Sequence, residues 1–462
     1  MGLILSSLPN PLALGVQAAL EKEAIRKASL RILPLVFIIY LVAFIDRANV
    51  AYAKLTMSAD LGFSEQVYGF GAGLFFIGYL ILEVPGALIV QRWGARLWIA
   101  RILVSWGICT VIVGFVHTPK QFYLARLFLG LAEAGLVPGV LVYLNEWFPA
   151  QYRARALARF FMASSFALAI GGPIAGLILP LEWWGIPGWR WLFILEGIPA
   201  ILLAGVTLWI MVDRPRKAKW LSAAESEALL AALETERRQK LNTRTFSVWS
   251  ALRSRDVLLL AGTGFFSNVG IAGFFLWLPT TIRDAATLSP SMAAVLSGVP
   301  FTAAVIAVLC LSYSSDRTGE RRYHTAVPLI LAGLIFPVTT RQDLSFVELL
   351  CWLALSAAAI YGFGPSFWTL PSQKLADSAG AATFGFLNLF CGMGSFVGPS
   401  VVGSILTAKF SFSVAVIFLS ACFLIAGICT LAVRTEPRSP APATEPEICV
   451  MKGNSPGDVF AG

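Results

Sequence analysis

The sequence predicts an all-α membrane protein of twelve transmembrane helices arranged as two pseudo-symmetric six-helix bundles. Three observations carry that prediction. Hydrophobic residues make up 57% of 462 positions and charged ones 13%, with mean hydropathy +0.75, a balance too apolar for water-soluble domains. Twelve apolar runs match the roughly 20 residues that a helix needs to cross a bilayer. They fall at 32–53, 67–90, 97–117, 121–145, 155–179, 190–212, 257–281, 292–314, 325–341, 346–372, 380–406 and 411–433. A long polar loop, 213–255, separates six runs from six.

Residues 1–31 read as a cytoplasmic N-terminal segment. Its apolar start is interrupted by Pro9 and Pro11, and its basic residues follow the apolar stretch, so it is not a secretory signal. The formal charge of +9 belongs to topology. Lys22, Arg26, Lys27, Arg31, Arg92, Arg96, Arg153, Arg155, Arg159, Arg317, Arg321 and Arg322 cluster in one set of loops, whereas Lys54, Lys120, Arg283, Arg341 and Lys409 stand mostly singly in the other. By the positive-inside rule both termini and the central loop are cytoplasmic, and no single basic face is offered to nucleic acid. The spans are expected to form an N-terminal bundle at 32–212 and a C-terminal bundle at 256–433, followed by a disordered cytoplasmic tail at 434–462.

The first span contains the adjacent charges Asp46 and Arg47. A charge at mid-bilayer costs about 2.5 to 3.5 kcal/mol on insertion scales, so such residues are functional candidates with an expected partner. At 1.5 Å per residue, Arg126 in the antiparallel fourth span reaches the same depth as Asp46. Glu133 lies two turns further on the same face. Two acids and two bases on two helices can neutralise each other in pairs, as a fixed brace or as a site where an anion competes for the arginines while protons take the acids.

Weaker candidates surround this group. The second span carries Tyr79 and, without an evident partner, Glu83; the fifth carries Ser164 and Ser165. Asn268 in the seventh span and Asn388 in the eleventh enter from the cytoplasm to matching depths, as interhelical glue or as donors and acceptors for a polar ligand. The tenth span reads YGFGPSFWTLP, whose Gly362, Gly364, Pro365 and Pro371 interrupt or kink the helix; Trp368 then walls a cavity, or else anchors the span at the membrane interface.

The central loop holds Ser222 and Glu225 as a capping box ahead of an Ala, Leu and Glu-rich amphipathic helix, read as a bar clamping the halves. Seven cysteines show no CxxC pair, and two histidines are too few for a metal site, so no metal, cofactor or disulfide framework is implied. No intramembrane hydrolase motif is present, which argues against an enzyme.

The halves repeat a loop motif after their second spans. One copy reads Ala87-x3-Gln91-Arg92-x-Gly94-x-Arg96, the other Ser312-x3-Asp316-Arg317-x-Gly319-x-Arg321-Arg322. These loops fit a cytoplasmic latch. The chain here resembles the major facilitator superfamily, and the segments FIDRANVAYA, RLFLGLAEAGLVPG, EWFPAQYRARA, GWRWLFILEG and FGFLNLFCGMGSFVGP are similar to its anion:cation symporter family, tartrate-type members foremost.

The resemblance implies import of a small organic anion, a sugar acid or dicarboxylate, by proton symport and alternating access across the inner membrane, by a monomer. It implies that Asp46 and Glu133 couple protons. Arg47, Arg126, Tyr79, Ser164, Asn268, Trp368 and Asn388 would bind substrate. Proton-independent uniport or exchange, or a transceptor on the same fold, are the competing readings.

Overall fold

A computed structural model describes residues 11–241, 252–371 and 377–434. Twelve of its helices are long and apolar enough to cross a membrane: Gly15–Leu61, Glu65–Glu83, Ala95–Val113, Pro119–Trp147, Ala150–Ile178, Gly188–Ile210, Arg255–Ala285, Pro290–Thr318, Arg322–Thr340, Phe346–Thr369, Thr383–Thr407 and Phe412–Ala432. Each corresponds to one of the expected runs, so the all-α fold with twelve spans in two six-helix bundles holds. The tail at 435–462, the first ten residues and the linker segment 242–251 lie outside the described residues.

The bundles meet along two seams, span two against span eleven and span five against span eight. Small residues make the close approach. A side chain at Gly73 would stand 2.9 Å from the Phe396 carbonyl, and one at Gly298 would stand 2.9 Å from the Ala169 carbonyl. Within lipid, helices associate by such packing because hydrocarbon offers no hydrophobic drive.

Among the described residues, most polar bonds between the bundles lie at the side away from the linker helix. Lys54 Nζ and Trp277 Nε1 both donate to Glu65 Oε2, at 2.7 and 2.9 Å. Arg283 donates to the Leu55 carbonyl, Gln66 N–H to Thr407, and Ser291 to the Gly176 carbonyl. The exception joins Asn388 to Glu83, about 6 Å past the middle of the second helix toward the linker side at 1.5 Å per residue. The far side is therefore closed.

Two elements depart from expectation. The first helix runs from Pro11 to Leu61, well past both expected ends, until Gly62 turns the chain with positive φ and Ser64 caps the next helix. Lys54, read from sequence as a loop charge, is consequently a buried helical residue. The fourth span splits after Glu133, where Gly135 adopts φ +85° and caps a second helix, Leu136–Trp147. Only glycine takes that conformation without strain.

The linker helix Ala223–Leu241 carries the expected capping box, with Ser222 N–H on Glu225 Oε2 at 2.9 Å and Glu225 N–H on Ser222 Oγ at 3.2 Å. Among the described residues its anchors belong to the first bundle: Lys27 pairs with Glu225 at 2.7 Å, Arg153 with Glu236 at 2.9 Å, and Trp220, just ahead of the helix, stacks on Trp147.

Candidate functional site

The centre of the first bundle is built on span one. Consecutive residues on a helix point about 100° apart, so Asp46 and Arg47 face different neighbours. Arg47 turns toward spans two and four. Its Nε donates to Glu133 Oε1 at 2.7 Å, and Nη2 lies 2.6 Å from the same oxygen. Its guanidinium also lies over the rings of Phe44, Tyr79 and Phe75, at 5.0, 5.0 and 5.6 Å. Three aromatic faces and one carboxylate replace water around this cation. Glu133 is fully buried, and its Oε2 has no hydrogen-bond partner.

Arg126 also approaches Phe75, its guanidinium 5.0 Å from that ring's centroid. It is 2% exposed, yet Nε and Nη1 have no acceptor, and Nη2 makes only a 3.5 Å contact with the Ala72 carbonyl. Two guanidinium groups thus approach one phenyl ring, and among the described residues only Arg47 has a carboxylate partner within ion-pair distance. A buried donor without an acceptor is costly.

The expected pairing of Asp46 with Arg126 is not formed: no ion pair within 4.0 Å joins them, although each feels the other's charge. Asp46 faces span three, where Trp106 Nε1 and Thr110 Oγ1 donate to its Oδ2 at 2.7 and 3.0 Å, and Asn49 Nδ2 donates to Oδ1 at 3.0 Å. Those three neutral donors satisfy the carboxylate from its own side of the bundle. Matching depth along two helices did not fix which face each side chain takes.

The second bundle presents polar and aromatic groups. Asn388 donates to Glu83, giving that acid the partner it lacks in sequence. Asn268 donates back to its own helix at the Gly264 carbonyl, 2.8 Å, and accepts from Ser395 at 3.4 Å. Trp368 stacks on Phe384, with ring centroids 6.1 Å apart, and is partly exposed. The helix is interrupted beside it at Phe363, as the glycines and proline there predict. Ser164 donates to its own helix at Phe161, 2.8 Å.

This arrangement, two bundles around a buried ion pair, coincides with a sequence pattern: residues 36–399 match the Major Facilitator Superfamily. The chain belongs to the major facilitator superfamily. A putative tartrate transporter of Agrobacterium vitis is 37% identical over 422 residues, 91% of this chain and 97% of the relative. The inner membrane transport protein RhmT of Escherichia coli strain K12 is 34% identical over 388 residues, 83% of this chain and 89% of the relative. Among solved structures, a bacterial homologue of the human lysosomal transporter Spinster, inward-facing and unoccupied, superposes with a TM-score of 0.71 over 88% of this chain and 98% of its own, at 18% identity, and so shares the fold. Superfamily members are transporters rather than enzymes, and this facilitator is a membrane transporter.

In this facilitator the two motif loops are tied within their own bundles. Arg96 N–H donates to Asp213 Oδ1 at 2.9 Å and its side chain to the Leu208 carbonyl, while Gly94 packs against the Asp213 carboxylate. Arg321 bonds Asp316 at 2.6 Å and Ser315 at 2.8 Å, Arg322 reaches the Leu431 carbonyl, and Gly319 caps its helix with φ +68°. Arg92 and Arg317 are exposed. These bonds brace each bundle in the conformation seen and do not cross between them.

The sequence reading missed the Lys54, Glu65 and Trp277 cluster because it ended span one too early. It also passed over Glu196 in span six, a buried acid inside the quoted segment GWRWLFILEG. Asn49 carried a signal, since it sits one turn from Asp46 on the same helical face.

Proposed function

We propose that this transporter imports a small organic anion, a sugar acid or tartrate-like dicarboxylate, together with protons by alternating access. The observation that carries the reading is the pair of guanidinium groups around Phe75, Arg126 with two buried nitrogens lacking acceptors and Arg47 held by Glu133 alone. Protonation of Glu133 removes the carboxylate's claim on Arg47. The freed fork then joins Arg126 in holding a carboxylate through charge-assisted bonds. Loss of the proton restores the Arg47 pair and expels the anion, so substrate and proton favour the same state, as coupling requires.

Tyr79, Asn268, Trp368, Asn388 and Ser164 would line the remainder of the site. Their hydroxyl and amide groups suit a hydroxylated carboxylate better than an apolar acid. Similarity to a protein named a putative tartrate transporter supports that class. Asp46 is the second acid assigned to coupling.

The clustered basic loops support a cytoplasmic side for the termini and linker helix. On that reading the closed side, with Lys54, Glu65 and Trp277, faces outward and the conformation is inward-facing. The relative named an inner membrane transport protein supports the inner membrane as the location. The working unit in this proposal is a monomer.

The test is uptake of labelled carboxylates, tartrate and sugar acids first, into proteoliposomes under an imposed inward proton gradient. Accumulation that collapses with a protonophore supports the proposal. Uptake indifferent to the gradient contradicts it in favour of uniport or exchange.

A further inference from the structure

Behind the ion pair lies a second buried polar cluster that the proposed cycle does not use. Glu196, on the sixth span, is 6% exposed and its Oε2 has no hydrogen-bond partner. No cation lies within ion-pair distance of it among the described residues; Arg190, on the same helix, is committed to the Gly114 and Val116 carbonyls. Its neighbours come from span one. The Asn49 amide that donates to Asp46 also reaches Glu196, and Tyr52 lies within electrostatic reach. Asn49 Oδ1 and Tyr52 Oη are buried and equally without partners.

Two carboxylates, one amide and one phenol therefore form a buried cluster in which three polar atoms have no protein partner. Asp46 takes three donors, from Trp106, Thr110 and Asn49; indole and amide N–H groups can only donate, so this environment suits the ionised form. Glu196 has no such set of donors. A neutral carboxylic acid there supplies an O–H for an unpartnered acceptor and avoids a second uncompensated charge beside Asp46.

The cluster also connects to the moving seam. Tyr52 Oη would stand 3.3 Å from a side chain at Gly172 of span five, the residue that packs against the Ala294 carbonyl of the other bundle. Tyr361 of span ten lies within electrostatic reach of the same phenol. Rocking at the span five and span eight seam must alter what surrounds Tyr52.

We propose that Glu196 is a further proton-binding residue of the transport cycle, linked to Asp46 through Asn49 and to the interface between bundles through Tyr52. The inference rests on the proton-symport reading. The step is one proton taken by the Glu196 carboxylate to give the acid, and the same proton released to water on the opposite side of the membrane. The charged and titratable groups around it are Asp46 and Tyr52 from span one, Cys109 from span three and, beyond Asp46, Arg126 and Glu133 from span four.

The experiment compares wild type with Glu196→Gln, which keeps shape and removes the titration, and with Tyr52→Phe, which removes only the hydroxyl. The first readout needs no substrate: infrared difference spectra on a pH jump in proteoliposomes, followed at the carboxylic acid C=O stretch. The second is the ratio of protons to labelled tartrate or sugar acid moved, with the pH profile of uptake. We expect Glu196→Gln to lose one titrating C=O band, lower the ratio and flatten the profile while retaining counterflow, and Tyr52→Phe to keep the band but slow its response. An unchanged set of bands, or a wild-type ratio and profile in Glu196→Gln, overturns the inference. Failure of the symport reading appears separately, as wild-type uptake that ignores the proton gradient.

Discussion

Arg126 is the residue whose environment most needs a ligand, because two of its nitrogens are buried without acceptors. Arg126→Ala should weaken carboxylate binding about 10- to 100-fold, as expected for loss of a charge-assisted bond of about 1.5 to 3 kcal/mol; equilibrium binding to purified protein measures it. Glu133→Gln leaves Arg47 without a carboxylate but keeps the shape. We expect it to abolish uphill accumulation and retain counterflow, whereas a mere brace would lose both or neither. At this scale the sequence was informative about identity and poor about pairing. Charges inside apolar runs marked Asp46, Arg47, Arg126 and Glu133, and 3.6-residue periodicity put Glu133 below Arg126. The pairing of Arg47 with Glu133, and of Asp46 with Trp106, depends on helix rotation, which a single helix's sequence does not fix.

Helix ends and contacts carry their own predictions. A side chain at Gly130 would run into the Phe75 carbonyl, at the crossing of spans two and four that positions both guanidinium groups. Gly130→Val should cost about 1 to 3 kcal/mol by overpacking and impair binding as well, seen as a lowered Tm and a weaker response to carboxylate. The linker helix depends on Glu225. Its bond with the Lys27 ammonium, aided by the Ser222 N–H, holds its carboxyl below the usual carboxylate range. A lowered carboxyl contributes stability that is fully present above its unfolded value near about 4.3 and is lost as pH falls through the folded value. Amide exchange over residues 223–241 should therefore accelerate on acidification below that range, and Lys27→Ala should remove this pH dependence. The capping box at Ser222 was legible because it is local. The helix's attachment to one bundle was not, since Lys27 and Arg153 are remote in sequence.

Across the whole molecule, the polar bonds between bundles on the far side hold it closed, as one state of the proposed alternating cycle requires. Lys54, Glu65 and Trp277 hold that closure, so Lys54→Ala with Trp277→Ala should shift the population outward, detected as increased labelling of a cysteine introduced at Ala72, buried in this conformation, by a membrane-impermeant reagent. The twelve spans and the twofold plan were readable from apolar run length and the repeated loop motif, because the bilayer imposes both. Which side is closed was not readable, since it depends on contacts between residues such as Glu65 and Trp277 that are 212 positions apart. The central claim is that one anion and at least one proton bind to the same state through Arg47, Arg126 and Glu133. Proton uptake by purified protein in weak buffer, on adding the carboxylate that the uptake panel selects, tests this most directly. The account predicts protons taken up with the anion in wild type and fewer in Glu133→Gln; saturable anion binding with no proton uptake would contradict it.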